Sequence, residues 1–592
     1  MKIWIGCLLI ALSGCATQHS HTDEAADFSR LSDEFIASYS IQHPLESVAL
    51  GWHQFDGLFP RLDRAALAGE THRLDQLYSA IDRISDSALN PDQRSDRQLL
   101  LASLRTELWK YKAQQAPYRN PMFYAGAIDV SIYLKRDFAL LADRVRFITR
   151  VLRHSPEVFN AARQNLRSTL AKPFVETAIE VAEGTASFIE KDIAAEAAKV
   201  TDSIVREEFT AVSRLAIAEH RGFARWLQQE RLPTATASYS LGRSGFQEML
   251  RGERIDLSPE QVLSVGMREM AAEQARMRVA AQVIDPSKTP AEVYGLISLE
   301  HPTTKELIPT VRNTLERARE FVVQHHLLTM PSEIRARVEE TLPPFRSTST
   351  ASMDTPGPFE THATEAYYYV TPVESDWTPK QAEEWLRSFN LYTLEVINIH
   401  EAYPGHYLQF GVLNKTPLSK PAKILSSYAF AEGWAHYCEQ MLLEEGYGGA
   451  NVPSQSTQED RLRAAKYQVA QSSEALLRIC RLCVSVRMHC QGMTVDQATR
   501  FIMENCYYEE KAAHPEAMRG SFDPGYCFYT LGKLQLLKLR RDWRAQEGAA
   551  FSLQRFHDEL LRHGAPQIRT LRELMLKDPR TWPEILSFDN TI

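Results

Sequence analysis

Apolar residues recur at three- and four-residue intervals through most of the chain, the spacing of one buried face on an α-helix. The pattern predicts helices over Arg94–Lys112, Arg144–Arg153, Val175–Val200, Asp202–Gln229, Pro259–Val283 and Thr304–His326. Their Glu-, Lys- and Arg-rich faces read as solvated surfaces. Further along, Thr378 can cap a helix whose first turn begins at Pro379. Helices are then expected over Lys380–Ile399, Ser427–Glu445, Gln458–His489, Val495–Glu504 and Cys527–Gln546. Extended segments are few: Ala235–Leu241, Glu339–Phe345 and Ala363–Thr371, the last containing aromatic and β-branched Tyr367, Tyr368, Tyr369 and Val370. Ser347–Phe359, rich in Ser, Thr, Gly and Pro, reads as a mobile loop. No segment repeats at a fixed period. The expectation is a mainly α, multi-helical fold with a small β element, divided into an N-terminal helical region, 25–335, and a C-terminal region, 336–592, that holds the chemistry. The two could form one continuous domain.

Composition changes little in this picture. Of 592 residues, 44% are hydrophobic and 24% charged, which is ordinary for a soluble globular protein. With 26 Gly and 29 Pro the chain carries fewer backbone breakers than the usual ~12%, which favours long helices. A net charge of −8 supplies no field that would attract phosphate backbones, so no nucleic-acid partner is expected.

The N-terminus says more. Met1-Lys2 is a short positive region, and Ile3 to Leu12 is apolar but too short to span a bilayer. Leu12-Ser13-Gly14-Cys15 then resembles the bacterial lipobox, in which the cysteine is acylated and becomes the first mature residue. That resemblance implies a signal peptide over 1–15, a tether over 16–24 and a membrane anchor on Cys15. An ordinary cleaved signal peptide is the alternative. Ala16 lacks the negative charge of an inner-membrane retention signal, so the resemblance favours the outer membrane's periplasmic face. The remaining cysteines (Cys438, Cys480, Cys483, Cys490, Cys506 and Cys527) all lie towards the C-terminal end. Cys480 and Cys483 sit within one expected helix, whereas a zinc ribbon needs a tight turn, which argues against a second, structural zinc. They read as buried thiols, with one or two disulfides left open.

The chemistry concentrates in His400-Glu401-Ala402-Tyr403-Pro404-Gly405-His406. In the H-E-x-x-H motif, histidines four apart share a helix face and a zinc ion, and the adjacent glutamate polarises water. Here they are six apart, which on an unbroken helix is about 240° of rotation. Pro404 removes a backbone donor and Gly405 is conformationally permissive, so a local bulge is expected to bring His406 back beside His400. On the following helix, Glu432, His436 and Glu439 fall at i, i+4 and i+7, one face. Glu-zincin peptidases take their third ligand from a glutamate placed this way. Glu432 is therefore assigned as third ligand, with His436 or Glu439 as partners that orient a histidine. A solvated helix face is the alternative for those two.

His400-Glu401-Ala402-Tyr403-Pro404-Gly405-His406-Tyr407-Leu408-Gln409 and Glu432-Gly433-Trp434-Ala435-His436-Tyr437-Cys438-Glu439 also resemble the HEAxPGHHLQ and EGWAxYxE signatures of a large bacterial family, domain of unknown function 885. Asp523-Pro524-Gly525-Tyr526 through Tyr529, Gly532, Lys533 and Leu539-Arg540 looks like its C-terminal signature, and Pro44 to Gly51 with Asp56-Gly57 like its opening. Tyr407 stands where a third histidine is frequent, and Tyr526-Cys527 where Gln-Ala is frequent. The resemblance implies a zincin-like fold related to gluzincin metallopeptidases, one Zn²⁺ per chain, and a peptide substrate. Glu401 would act as general base, and Tyr529, which follows Pro-Gly as in the signature, would stabilise an oxyanion. Arg519 is a candidate for binding a substrate carboxylate, and the strand holding Tyr367 and Tyr369 for pairing with an extended peptide. A zinc amidase or esterase would use the same groups. A lipid-anchored binding protein with a degenerate site is the reading from another class, against which the intact His400, Glu401, His406 and Glu432 argue.

Overall fold

The computed structural model describes residues 21–342, 346, 349–449, 457–583 and 586. Cys15 and the signal-peptide segment lie outside the described residues, as does most of the expected tether, whose end already belongs to the helix His21–Gln42. Among the described residues no helix is long and apolar enough to cross a membrane.

The fold is almost entirely helical, with one small mixed sheet. Its organising element is the helix Gln458–Cys490, started by a Thr457–Asp460 capping box and buried along most of its length. It packs lengthwise on the helix Pro259–Ile284 (α1). At their crossing Gly266 leaves room for the partner's side chains, since a Cβ there would lie 2.4 Å from Leu482 and 2.7 Å from the Cys483 thiol. All six described cysteines are free and five are buried, so the C-x-x-C pair is core packing. The largest hydrophobic core draws on residues from Ala171 to Leu586, and a second gathers the N-terminal helices between Val48 and Leu227. A third joins Phe28–Leu104 to Ala422 and Leu425.

Seven further elements position the site. They are Leu307–Gln324 (α2), Arg337–Glu340 (β1), Ala351–Asp354 (β2), Tyr367–Val370 (β3), Leu391–Glu401 (α3), His406–Lys415 (α4) and Tyr428–Glu444 (α5). Gln458–Cys490 is α6 and Phe528–Glu547 is α7. The sheet order is β1-β3-β2, with β1 parallel and β2 antiparallel to β3.

Three expectations are corrected. Ala235–Leu241 is not a strand: it makes a single bridge, Thr236 to Ala171, because no neighbouring strand continues the ladder. The segment read as a mobile loop contains β2, which pairs along its whole length with β3 and is tied down where Arg136 meets Asp354 at 2.5 Å. The helix expected over Lys380–Ile399 is two, Pro379–Ser388 and α3. The break falls at Phe389-Asn390, where Phe389 turns fully into the core and the Asn390 side chain accepts from Thr393 N–H at 3.0 Å, capping α3.

Candidate metal centre

His400 occupies the last turn of α3, followed by half-buried Glu401 at its end. The expected bulge inside one helix is replaced by a clean break: α3 stops, residues 402–405 form a tight connection, and α4 starts at His406. Pro404 cannot donate to the helix ladder, and Gly405 packs against the turn it leaves. A Cβ on Gly405 would lie 1.7 Å from the His400 carbonyl oxygen, so this position admits only glycine. Its N–H donates to the Ile399 carbonyl at 3.0 Å. From α5, the Trp434 indole N–H donates to the carbonyls of Pro404 (2.9 Å) and Gly405 (3.3 Å) and pins the connection. His400 and His406 end with ring centroids 5.0 Å apart, planes at 88°.

Glu432 completes the group. Its Oε2 lies 3.5 Å from His400 Nε2 and 3.6 Å from His406 Nε2, and one ligand atom from each residue falls within 4.8 Å of the others. That oxygen is buried without a hydrogen-bond partner. Neutral hydrogen bonds would draw such atoms closer, whereas ligands about 2.0–2.2 Å from a tetrahedral zinc stand roughly 3.4 Å from one another. The donor set therefore fits a divalent metal: two nitrogens and one carboxylate oxygen around a common point.

The surroundings fix His400. Its Nδ1–H donates to Glu439 Oε1 at 2.7 Å, which leaves the Nε2 lone pair facing Glu432. Glu439 Oε2 accepts from His436 Nδ1 at 3.1 Å, and Arg478 reaches Glu439 Oε1 at 3.1 Å and Glu474 at 2.7 Å. Glu439 and His436 are fully buried, so the solvated-face alternative does not hold. Glu439 touches a site histidine directly; His436 acts one step behind it. Burial opposes charge on His400, but the neighbouring Glu432 and Glu439 carboxylates outweigh it and raise its pKa to about 9. Burial likewise pushes Glu432 up, and the two histidines override it, holding the carboxyl well below the usual range. Burial and the Lys533 charge push His436 down to about 3, so it is neutral.

Tyr529, on α7, stacks over His400 with ring centroids 6.4 Å apart and planes at 14°. The Arg481 and Arg519 guanidinium carbons lie 5.1 and 5.9 Å from the Tyr529 ring centroid. Arg519 is engaged: its Nε and Nη2 donate to Asp523 Oδ2 at 3.0 and 2.9 Å, and Nη2 also to the Tyr428 hydroxyl at 3.2 Å. One third of its side chain remains exposed. Tyr369 lies in β3, which has a partner on each side, so an incoming strand cannot pair with it. Sequence reasoning passed over Arg478, Arg481 and Trp434. The signal for the arginines is Glu474, Arg478 and Arg481 recurring at helical spacing inside an otherwise apolar stretch of α6.

The profile of a family described as "Bacterial protein of unknown function (DUF885)" matches residues 44–575. A search of curated proteins finds no match. Among solved structures, a "putative lipoprotein of unknown function" from Shewanella oneidensis superposes with a TM-score of 0.75 at 23% identity, covering 93% of this chain and 100% of that one. A "putative lipoprotein" from Colwellia psychrerythraea gives 0.75 at 17% identity, with 93% and 98% covered. An M32 carboxypeptidase from Deinococcus radiodurans R1 gives 0.40 at 13% identity, with 93% and 95% covered. The fold is thus shared with the first two proteins.

Proposed function

The chain belongs to the bacterial DUF885 family, and we propose that it is a zinc-dependent hydrolase, a metallopeptidase that cleaves peptides in the cell envelope. The observation that carries this reading is the buried, unpartnered Glu432 Oε2 at 3.5 and 3.6 Å from two histidine nitrogens, one of them oriented from behind by Glu439.

In this reading His400, His406 and Glu432 hold one zinc ion per chain. Bound there, zinc supplies the Lewis acidity that lowers the pKa of water and polarises a carbonyl. Glu401, adjacent to the first ligand and half-exposed, takes the proton of the attacking water and hands it to the leaving amine. Tyr529 donates its phenol hydrogen to the developing oxyanion; burial and the Glu432 charge hold its pKa above the ordinary value, so the proton stays on the ring oxygen. Arg519, while paired to Asp523, keeps exposed surface with which to meet a substrate carboxylate, and Tyr369 lies within the sheet beside the site. β2, the edge strand on the side of α3 and α4, is where an extended peptide would add, in place of β3. Acylation of Cys15 would hold the enzyme on the outer membrane, facing the periplasm.

Metal analysis and peptide hydrolysis test this together. The purified protein is expected to carry about one zinc per chain, lost in His400→Ala. Glu401→Gln is expected to keep the zinc while hydrolysis of a mixed peptide library falls roughly 10²–10⁴-fold. Metal absent from the wild type, or full turnover by Glu401→Gln, would overturn the assignment.

A further inference from the structure

The connection between β2 and β3 is strapped to the N-terminal helices. After Asp354, the last residue of β2, residues 355–365 run across the turn that follows the helix Pro44–Ala49. The two backbones touch. A Cβ on Gly51 would lie 2.2 Å from the Glu360 nitrogen, and one on Gly357 would lie 2.3 Å from the Ala49 carbonyl oxygen. The Phe359 N–H donates to the Leu50 carbonyl at 3.0 Å, and Trp52 stacks on Phe359 with ring centroids 4.8 Å apart. Arg136 ties both ends of the strap, pairing with Asp354 at 2.5 Å and donating to the Glu365 carbonyl.

At the centre of this contact one imidazole serves two carboxylates. His53 Nε2 lies 3.0 Å from Glu360 Oε2 on the strap, and Nδ1 lies 3.4 Å from Asp56 Oδ2 on its own turn. The Asp56 and Glu360 side chains are 6% and 4% exposed, whereas that of His53 is 24% exposed and can exchange protons with solvent. Phe138 covers one face of the imidazole, with ring centroids 3.9 Å apart. The charged and titratable groups around the cluster are committed elsewhere. Asp137 pairs with Arg144 at 2.5 Å, the Tyr133 hydroxyl accepts from the Gly57 N–H at 2.9 Å, and the Arg150 stem packs against Gly57.

The two carboxylates are unequal. Glu360 Oε1 accepts from the His362 and Ala363 N–H groups at 2.7 and 3.2 Å. Burial pushes this carboxyl up, but those donors and His53 override it and hold it below its usual range. Asp56 lacks such support, and its Oδ1 is buried without a hydrogen-bond partner. Burial pushes Asp56 up to about 6 against the pull of His53, and the Glu360 charge adds to the rise. Counting charges gives the direction of the effect. A neutral imidazole leaves two negative charges in the contact, an imidazolium leaves one, and a further proton on Asp56 leaves none.

We propose that His53, Asp56 and Glu360 form a proton-operated clasp on the strap 355–365, closed in mildly acidic solution and loosened as pH rises. Each proton gained removes buried charge, so proton uptake and closure favour one another. For Asp56 the folded-state pKa lies above the ordinary 3.8, so its contribution is complete below that value and lost as pH rises through about 6. Release reaches the other half of the molecule, because the Pro356 carbonyl accepts from Asn414 at 2.9 Å on α4, the helix that begins with His406. The clasp needs neither metal nor substrate and stands apart from the proposed hydrolysis.

Hydrogen exchange read by mass spectrometry on the purified full chain tests the clasp. Peptides covering 354–366 are compared with peptides from α6, after correction for the intrinsic pH dependence of exchange. Strap protection is expected to rise about threefold or more between roughly pH 7.5 and 5.5, while α6 holds steady. Asp56→Asn, a neutral isostere of the protonated acid, is expected to raise strap protection about twofold or more near pH 7.5. His53→Gln/Asp56→Asn removes both titrations, so its strap protection should be the same at both pH values, with α6 reporting that the fold is intact. No rise in the wild type, an equal rise in the double variant, or an Asp56→Asn strap no better protected than the wild type near pH 7.5 would each overturn the proposal.

Discussion

At His400, a proton would compete with the proposed metal for one nitrogen. Burial disfavours the imidazolium, but Glu432 and Glu439 reverse that and set its pKa at about 9. A metal binds only the neutral ring, so zinc must displace this proton. The folded-state pKa lies above the unfolded value of about 6.5, so the charge on His400 stabilises the metal-free fold fully below roughly pH 6.5. That contribution is lost as pH rises through about 9. Zinc affinity is expected to move the opposite way, rising about tenfold per pH unit between roughly 6.5 and 9 and levelling above, with release of close to one proton per zinc near pH 7.5. Calorimetry in buffers of different ionisation enthalpy measures that proton directly. A pH-independent affinity would mean that His400 does not hold the metal. The same geometry assigns Glu439 its effect. Glu439→Gln keeps a carbonyl acceptor for Nδ1–H but removes the charge, and zinc affinity is expected to fall about 10- to 100-fold, read by competition with a chelator. Unchanged affinity would reduce Glu439 to packing.

At the scale of elements, α5 and α7 cross at backbone contact, and this crossing brings Glu432 and Tyr529 to the same centre. A Cβ on Gly532 would stand 1.8 Å from the Ala429 carbonyl oxygen, and one on Gly433 would meet the Gly532 backbone at 2.5 Å. Gly532→Ala must therefore push the helices apart. We expect a loss of roughly 1–3 kcal/mol in denaturant unfolding, together with weaker zinc binding; wild-type values for both would show that the crossing yields freely. This contact also explains what could be read beforehand. Helices with a strong apolar period and clear caps, such as Ser203–Trp226 and Val495–Cys506, are legible because local pattern and tertiary burial agree. The grouping of His400, His406 and Glu432 is legible because the three lie at short spacing on α3, α4 and α5. The end of α3 at Glu401 was not, since a bulge and a break need the same Pro-Gly pair and differ only in what Trp434 holds from outside. Nor was β2: its residues lack a strand signature and become a strand by pairing with β3. Arg478 was hidden for the opposite reason, because a Glu474–Arg478 pair four apart on a helix looks like a solvated face until α5 covers it.

Across the whole molecule, the chain between His406 and Glu432 is held by residues far away in sequence. Ala422 and Leu425 pack into the cluster formed by Phe28–Leu104, and Ser419 donates to Asp96 at 2.7 Å. Glu253 accepts from the Tyr428 N–H at 2.9 Å and pairs with the Ser427 hydroxyl, placing a carboxylate at the N-terminus of α5, where the helix dipole favours it. The three proposed ligands are thus braced by N-terminal helices as well as by α6 and α7. Zinc bound to such a site acts on the native state alone, because the unfolded chain cannot hold its ligands together. At free zinc about 100 times Kd the stabilisation is roughly 2.7 kcal/mol. If the bracing couples the site to the whole fold, zinc raises the midpoint of the main unfolding transition, and chelation lowers it by the same amount. If the site belonged to a locally unfolding segment, zinc would shift only a minor early transition. Calorimetric scans with and without zinc separate these outcomes. We expect one main transition that moves upward with zinc in the wild type and stays fixed in His400→Ala, and a main transition insensitive to zinc would break the link between the N-terminal helices and the metal centre.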